Sequence, residues 1–180
     1  MKFTYYYVND YLTKAEIKKI NKEFDKAPRP FHKQAPTVKS SVAVQTNYNK
    51  IKKIKDIRKS VGWINRKVFG FDIYNNIDDD IIQNKYKASN RGQYKWHVDS
   101  EPYSENFTLK LTTLINLSEK PYEGGVFKLF DGRPYHVKEF DQPGSMIVFP
   151  SYFLHKVTPV TKGERISCTI FETDRDWETV

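Results

Sequence analysis

The feature of this sequence that most constrains its fold is a change of hydrophobic period near residue 81. Before that point, apolar residues recur three and four positions apart, as along one face of a helix. After it, short β-rich runs alternate with turn signals such as Gly-Gly, Asp-Gly and Pro-Gly. Short strands at near-regular spacing predict a jelly roll or a related barrel. We place the strands near 81–88, 93–99, 109–117, 125–130, 135–140, 145–149, 154–160 and 165–172.

The helical part covers about residues 10–70. Thr13-Lys14-Ala15-Glu16 matches a capping box, so a helix is predicted to begin there. A strand fits 41–46 and a second helix fits 50–68, whose Lys-rich side we interpret as solvated. Helices followed by strands favour an α+β, mainly β fold with the helices packed on one sheet. We therefore expect a single domain over residues 1–180, with a β core at about 81–172.

Composition limits the classes of protein to consider. A chain of 180 residues suits one core, and 12 Tyr, 12 Phe and 3 Trp supply bulk for it. The single cysteine, Cys168, excludes an internal disulfide and lies in an apolar alternation, so we expect it to be buried. No leader-like segment and no run of 18 apolar residues occur, which predicts a soluble, cytoplasmic protein without a membrane partner. The net charge of +8 comes without a dense Lys/Arg run, so a nucleic-acid partner is not expected.

Three residues form a candidate metal site. His97 and Asp99 are two positions apart in a predicted strand, so their side chains point the same way. His155, at the start of a later strand, offers a third ligand. Two histidines and one carboxylate on one side of an ion match the facial triad of non-haem iron(II) oxygenases. By itself, His-x-Asp is also typical of an exposed ion pair.

Ten residues after His155, Arg165 and Ser167 share one face of the last predicted strand. A guanidinium holds a carboxylate through two hydrogen bonds, and a hydroxyl adds a third. Inside a barrel, Arg165 needs an anionic partner, which a dicarboxylate cosubstrate provides. On an edge strand, the same arginine would simply face solvent.

Several motifs together resemble one family. Gly92-Gln-Tyr-Lys-Trp-His-Val-Asp99 looks like the Gly-Gln-Tyr-x-x-His-x-Asp signature of prolyl 4-hydroxylases, and Tyr122-Glu-Gly-Gly-Val-Phe127 resembles that family's Gly-Gly strand start. Pro143 to Pro150, Leu154 to Val160 and Lys162-Gly-Glu-Arg-Ile-Ser167 continue the match in order and spacing. The resemblance covers about 81–172 and is greatest to the small bacterial and viral-type hydroxylases.

The resemblance implies a double-stranded β-helix that uses Fe(II), 2-oxoglutarate and O2, with ascorbate as reductant and succinate and CO2 as products. It also implies that His97, Asp99 and His155 bind the metal and that Arg165 binds the far carboxylate of 2-oxoglutarate. Tyr86 and Ser167 are further cosubstrate candidates, and Thr112 is a weaker one. Tyr94 is a candidate for the substrate pocket; ordinary core packing is the alternative for both tyrosines.

The implied substrate is a prolyl residue in a protein or peptide. The segments 28–40, which contains His32, and 100–107 are candidates for substrate contact. Three alternatives stay open: a free amino acid as substrate, alkylated nucleic-acid bases as substrate, and a metal-binding barrel without turnover. The oligomeric state does not follow from the sequence.

Overall fold

Two facing sheets, with two helices on the outer side of the larger one, make up the fold. The computed structural model describes residues 4–26, 29–30, 39–47, 52–73, 80–100, 102–104 and 107–175. The helices are α1 (Lys14–Lys26) and α2 (Lys52–Ile64), and α2 runs on into a π-helical turn (Asn65–Phe69). The strands are β1 (Tyr6–Val8), β2 (Arg29–Pro30), β3 (Val42–Asn47), β4 (Asp80–Lys87), β5 (Tyr94–His97), β6 (Pro102–Ser104), β7 (Phe107–Asn116), β8 (Glu123–Gly124), β9 (Phe127–Asp131), β10 (Arg133–His136), β11 (Met146–Pro150), β12 (His155–Val157), β13 (Val160–Lys162) and β14 (Glu164–Arg175).

The major sheet runs in the order β1-β11-β7-β14-β4-β3-β2, with β6 also paired to β7, and all of its pairs are antiparallel. The minor sheet runs β10-β9-β12-β5, and β13 with β8 forms a short two-stranded sheet. Most pairs at the centre of the two sheets join strands that are distant in the sequence, such as β7 with β14 and β9 with β12, which is typical of a jelly roll. The predicted double-stranded β-helix is confirmed.

Alternation along the major-sheet strands gives each face its own role. One face, with Ile115, Met146 and Cys168, packs on Ile17 and Phe24 of α1 and on the apolar side of α2. The other face, with Leu114, Ile147 and Phe149, packs on Phe127 and Val157 of the minor sheet. The prediction that the helices pack on one sheet is therefore confirmed, and the space between the two sheets is left for a pocket.

The first helix begins where the capping box predicted. The Thr13 amide donates to Glu16 Oε2 at 2.9 Å, and the Glu16 amide donates to Thr13 Oγ1 at 3.3 Å. These reciprocal bonds satisfy amides that have no partner within the helix.

The structure corrects several element boundaries. The aromatic N-terminal run, for which no strand was predicted, forms β1 and pairs with β11. The expected strand at 135–140 is β10 followed by a 3-10 turn at Lys138–Phe140. The expected strand at 154–160 is interrupted after Val157, because Pro159 has no amide to donate to a ladder.

Parts of both loops that were candidates for substrate contact lie outside the described residues. These are residues 27–28, 31–38 with His32, 101 and 105–106. Within the described part of the chain, neither α-helix has the length and apolar character that crossing a bilayer requires.

Candidate metal centre and its pocket

The three candidate metal ligands meet at one end of the space between the sheets. His97 ends β5 and His155 begins β12, and the two residues are direct partners across these strands. Asp99 follows two positions after His97, beyond the end of β5. His97 Nε2 lies 3.5 Å from Asp99 Oδ1, and His155 Nε2 lies 3.3 Å from Asp99 Oδ2. One ligand atom from each residue falls within 4.8 Å of the others.

Backbone carbonyls orient both imidazole rings. His97 Nδ1 lies 2.7 Å from the carbonyl oxygen of Lys95, and His155 Nδ1 lies 2.9 Å from that of Phe153. A carbonyl oxygen only accepts, so each Nδ1 carries the proton and donates it. Each Nε2 is then left with a free lone pair that points toward Asp99. This is the arrangement in which histidine binds a metal ion.

The Asp99 carboxylate is held by its backbone and by a hydroxyl. Its amide donates to the Ser151 carbonyl at 2.9 Å, and Thr112 Oγ1 donates to Asp99 Oδ2 at 2.9 Å. Thr112 Oγ1 also lies 3.0 Å from Ser151 Oγ. Thr112, which was a candidate for cosubstrate contact, therefore touches the candidate metal ligand instead of the Arg165 end of the site.

The charges in this cluster suit a divalent cation. Burial by itself raises the pKa of the Asp99 carboxyl, but His155, His97 and the Thr112 hydrogen bond together hold that pKa below its usual value. Burial, together with the neighbouring His155, lowers the pKa of His97 to about 4. At neutral pH the cluster thus presents an anionic carboxylate and a neutral His97 imidazole, the protonation states that metal binding needs.

At the opposite end of the same space lies Arg165, a buried cation. Its side chain on β14 is 2% exposed, and its Nη1 donates to Ser167 Oγ at 3.1 Å. Its Cζ lies 5.3 Å from the ring centroid of Tyr86 and 5.4 Å from that of Phe140. Among the residues that the structure describes, no carboxylate forms an ion pair with Arg165. A buried cation without an anion is costly, so this end of the site suits an anionic ligand.

Tyr86 and Arg165 are direct partners across β4 and β14, and Ser167 is the partner of Asn84. Burial raises the pKa of the Tyr86 hydroxyl to about 12, so that it stays protonated and can donate a hydrogen bond. The pairing of β4 with β14 therefore brings together three of the four residues that the sequence proposed for cosubstrate binding.

A cavity of about 160 Å³ connects the two ends. Its wall includes all three candidate metal ligands together with Tyr86, Arg165 and Ser167, and apolar side chains such as Leu114, Phe127 and Val157 complete it. The apolar part of the wall keeps water away from the polar groups and strengthens their electrostatic interactions.

Tyr94 and Lys39 line this cavity beside the three candidate metal ligands. The Tyr94 ring stacks on the His97 ring with 3.4 Å between centroids and 17° between planes. Lys39 forms a β-bridge with Tyr94, and its Nζ lies 4.7 Å from the centroid of the Tyr94 ring. Burial lowers the pKa of the Lys39 amine to about 8, although the charge of Asp99 acts in the opposite direction.

Sequence reasoning missed two polar residues of the cavity wall, Asn84 and Thr169, and included Lys39 only as part of the candidate segment 28–40. Asn84 Nδ2 donates to Thr169 Oγ1 at 3.3 Å, while the buried Asn84 Oδ1 has no hydrogen-bond partner within the part of the chain that the structure describes. Strand alternation would have found both, because Asn84 is two positions before Tyr86 and Thr169 is four after Arg165. Lys39 carried no such signal, since it follows an irregular segment of the sequence.

Three other residues bear on the sequence analysis. Trp96 points away from His97 to the outer face of β5, where the Lys156 amine lies 4.7 Å from its ring centroid. His136, for which no partner was expected, has its Nε2 2.8 Å from Asp141 Oδ1, within hydrogen-bond distance. Cys168 is buried as predicted, and burial raises the pKa of its thiol.

The residues present fit both groups that the sequence implied, iron(II) and 2-oxoglutarate. Two imidazole nitrogens and one carboxylate oxygen form the donor set typical of a non-haem iron(II) site with open positions. The buried Arg165 fits a carboxylate at the far end of the cavity.

Comparison with known proteins agrees with this fit. Residues 83–172, half of the chain, match the family model of the 2OG-Fe(II) oxygenase superfamily. The chain belongs to this superfamily, whose members use Fe(II), 2-oxoglutarate and O2.

Among individual relatives, a PKHD-type hydroxylase of Nitrosomonas europaea is 31% identical over 147 residues. This match covers 77% of this chain and 62% of the relative. A PKHD-type hydroxylase of a Synechococcus strain is 40% identical over 84 residues, which are 46% of this chain and 37% of the relative. The chain thus spans less than two thirds of these relatives' length.

Solved structures share the fold. The viral collagen prolyl hydroxylase of Paramecium bursaria Chlorella virus 1 superposes with a TM-score of 0.75 at 19% identity, covering 96% of this chain and 97% of that one. A prolyl-4-hydroxylase of Pseudomonas putida gives a TM-score of 0.71 at 17% identity, covering 97% and 95%.

Proposed function

We propose that this chain is an Fe(II)- and 2-oxoglutarate-dependent dioxygenase that hydroxylates a prolyl residue in a protein or peptide. The observation that carries the proposal is that one cavity contains both a candidate metal site and a candidate cosubstrate site. A two-histidine, one-carboxylate cluster lies at one end, and a buried arginine without an acidic partner among the described residues lies at the other. We further propose that the helices and the β core act as one oxygenase domain.

In this proposal, His97, Asp99 and His155 hold the iron. When bound, iron and 2-oxoglutarate supply the oxidation, in which O2 is consumed, one oxygen atom enters a C–H bond, and succinate and CO2 are released. Ascorbate would serve as the reductant that keeps the iron in its ferrous form. The contribution of the protein is to place three ligands on one side of the ion and to leave the other positions open.

The remaining residues position ligands and exclude water. Arg165 and Ser167 bind the far carboxylate of 2-oxoglutarate, and the Tyr86 hydroxyl donates a further hydrogen bond to the cosubstrate. Thr112 orients the Asp99 carboxylate, and the Lys95 and Phe153 carbonyls fix the two imidazoles. Tyr94 stacks on His97 and faces the cavity, where it is placed to contact the substrate.

The proposal of a prolyl substrate is based on the relatives of the chain and on proteins that share its fold. Curated relatives carry the name PKHD-type hydroxylase, and proteins that share the fold are described as prolyl hydroxylases, one of them in complex with a peptide fragment of hypoxia-inducible factor. Among the described residues, the cavity wall includes the basic residues Lys39 and Arg165, which are fewer than a site that tracks a nucleic-acid backbone would need.

The test combines cosubstrate turnover with product mass. The protein is incubated with Fe(II), 2-oxoglutarate, ascorbate and a library of proline-containing peptides; succinate is measured by chromatography and peptides by mass spectrometry. We expect succinate formation coupled to a mass gain of one oxygen atom, lost in Asp99→Ala and retained in Asp72→Ala, which removes an exposed carboxylate outside the cavity. Succinate formation without any oxidised peptide would reject the peptidyl substrate. Undiminished turnover in Asp99→Ala would reject the metal site.

A further inference from the structure

The cavity contains one charged group to which the proposed function gives no role, the Lys39 amine. Lys39 is partly buried in the cavity wall and contacts the Tyr94 ring, which itself stacks on His97. Among the described residues, no carboxylate lies within ion-pair distance of its Nζ. The negative charge of Asp99 attracts the Lys39 ammonium through space, but the two side chains form no ion pair.

A count of the charges on the described cavity residues and the proposed ligands leaves the Lys39 amine without an anion. Besides its histidines, the described part of the cavity wall carries three charged side chains, Lys39, Asp99 and Arg165. If the proposed function holds, the double charge of iron(II) and the single charge of Arg165 balance the double charge of 2-oxoglutarate and the single charge of Asp99. The positive charge of Lys39 is left over in a partly buried place, where an unpaired charge is costly.

We propose that Lys39 binds a carboxylate of the primary substrate, next to the carbon that is oxidised. The inference rests on the proposed function, since it takes Arg165 and Asp99 as already engaged. A carboxylate suits the site because an ammonium group donates up to three hydrogen bonds, and such charge-assisted bonds are stronger than neutral ones.

Two sources can supply this carboxylate. One is an acidic side chain beside the target residue of a peptide, and the other is the α-carboxylate of a free amino acid or a chain terminus. Both place an anion close to the reacting carbon.

The test measures binding without turnover. The protein is loaded with Mn(II) and N-oxalylglycine, an unreactive mimic of 2-oxoglutarate. Kd values are measured by calorimetry for capped peptides with Glu or Gln on either side of a central proline, and for free proline and proline amide. We expect at least one carboxylate-bearing probe to bind about tenfold more tightly than its neutral counterpart.

Variants assign this preference to Lys39. Lys39→Met is expected to abolish the preference, Lys39→Arg to keep most of it, and Lys18→Met, which removes the same charge from the exposed side of α1, to leave it unchanged. Retention of unfolding temperature by each variant shows that it is folded. If no carboxylate-bearing probe is preferred by the unmodified protein, or if Lys39→Met keeps the preference, the inference is overturned. A change in N-oxalylglycine affinity alone would instead assign Lys39 to the cosubstrate.

The two proposals fail in different ways. Lack of any 2-oxoglutarate turnover would overturn the proposed function, whereas the binding preference is measured on protein that cannot turn over. Turnover with no carboxylate preference would overturn only the role of Lys39.

Discussion

Thr112 donates a 2.9 Å hydrogen bond to the same Asp99 oxygen that lies 3.3 Å from His155 Nε2. The hydroxyl therefore fixes the carboxylate in the orientation in which its oxygens face both histidines. Hydrogen bonds of this kind, one step away from a metal, typically change metal affinity by about 10–100-fold. They are also easily overlooked in a sequence, because a threonine in a strand suggests nothing unusual.

The first prediction concerns this hydroxyl. Thr112→Val keeps the shape of the side chain and removes the hydrogen bond, so we expect the affinity for Fe(II) or Mn(II) to fall by about tenfold or more. Titration of the metal-free protein by calorimetry measures this. Thr113→Val is the matched control, because Thr113 lies on the other face of β7 and its buried Oγ1 has no hydrogen-bond partner among the described residues. Equal metal affinities in the two variants would argue against a role for Thr112.

The second prediction separates stability from cosubstrate binding. Arg165→Met keeps most of the side-chain volume but removes a buried charge that lacks an acidic partner among the described residues, so the free protein should become more stable by about 1 kcal/mol or more. The same change should weaken 2-oxoglutarate binding by about 100-fold, since charge-assisted hydrogen bonds are lost.

Thermal unfolding with and without Mn(II) and 2-oxoglutarate measures both effects at once. Adding 2-oxoglutarate to the Mn(II)-loaded protein should stabilise the unmodified protein, and the same concentration should stabilise Arg165→Met far less. A variant that is still stabilised by 2-oxoglutarate to the same degree would show that another residue binds the far carboxylate.

The third prediction uses a glycine next to Arg165. Gly125 has φ +59, and a Cβ at this position would lie 2.9 Å from Arg165 Cδ and 3.0 Å from Val160 Cγ2. Gly125→Ala should therefore displace the arginine side chain and raise the KM for 2-oxoglutarate by about tenfold. Backbone strain adds a loss of stability of about 1–2 kcal/mol.

Gly132→Ala is the control for the strain alone. Gly132 has φ +70, but nothing lies within 4 Å of a Cβ built there. We expect a similar loss of stability in chemical denaturation and an unchanged KM. If both variants change the KM alike, the effect comes from general destabilisation and not from contact with Arg165.

The fourth prediction concerns pH and stability. Glu172 on β14 is 3% exposed and lies 3.5 Å from Arg58 of α2. Burial raises the pKa of the Glu172 carboxyl from 4.5 to about 7, although Arg58 acts in the opposite direction. Because this pKa is higher in the folded chain than in the unfolded chain, the stabilisation from the bound proton is complete below about pH 4.5. It is lost as the pH rises through 7.

The expected loss between pH 4.5 and 7 is of the order of 3 kcal/mol, at about 1.4 kcal/mol per pKa unit. Urea unfolding at a series of pH values measures it, and Glu172→Gln should flatten this part of the profile. Glu164→Gln, on the same strand but closer to solvent, serves as the control. A profile that is equally steep in Glu172→Gln would assign the pH dependence to other groups.

Sequence patterns predicted the features of the structure that depend on residues close together in the chain. The capping box at Thr13 and Glu16 involves neighbouring residues, and the helix begins there. Alternation along a strand put Arg165 and Ser167 on one face, where they form a hydrogen bond. The fixed order of motifs predicted that His97, Asp99 and His155 meet, and they do, although their role as metal ligands stays a prediction.

Contacts between distant segments could not be predicted in this way. The strand β1 exists because β11 offers it an edge more than a hundred residues later in the chain. Lys39 reaches the cavity because its segment pairs with the segment of Gln93 and Tyr94. The carbonyl groups that orient the histidines belong to Lys95 and Phe153, and backbone groups leave no trace in side-chain patterns.

The two ends of the cavity belong to different sheets. His97 and His155 are on the minor sheet, whereas Tyr86 and Arg165 are on the major sheet. If 2-oxoglutarate binds as proposed, one small molecule bridges two layers that otherwise meet through apolar packing and through polar contacts such as the one between Thr112 and Asp99. The distance between the layers then limits the length of the ligand. We therefore expect 2-oxo diacids one carbon shorter or one carbon longer to bind less tightly than 2-oxoglutarate.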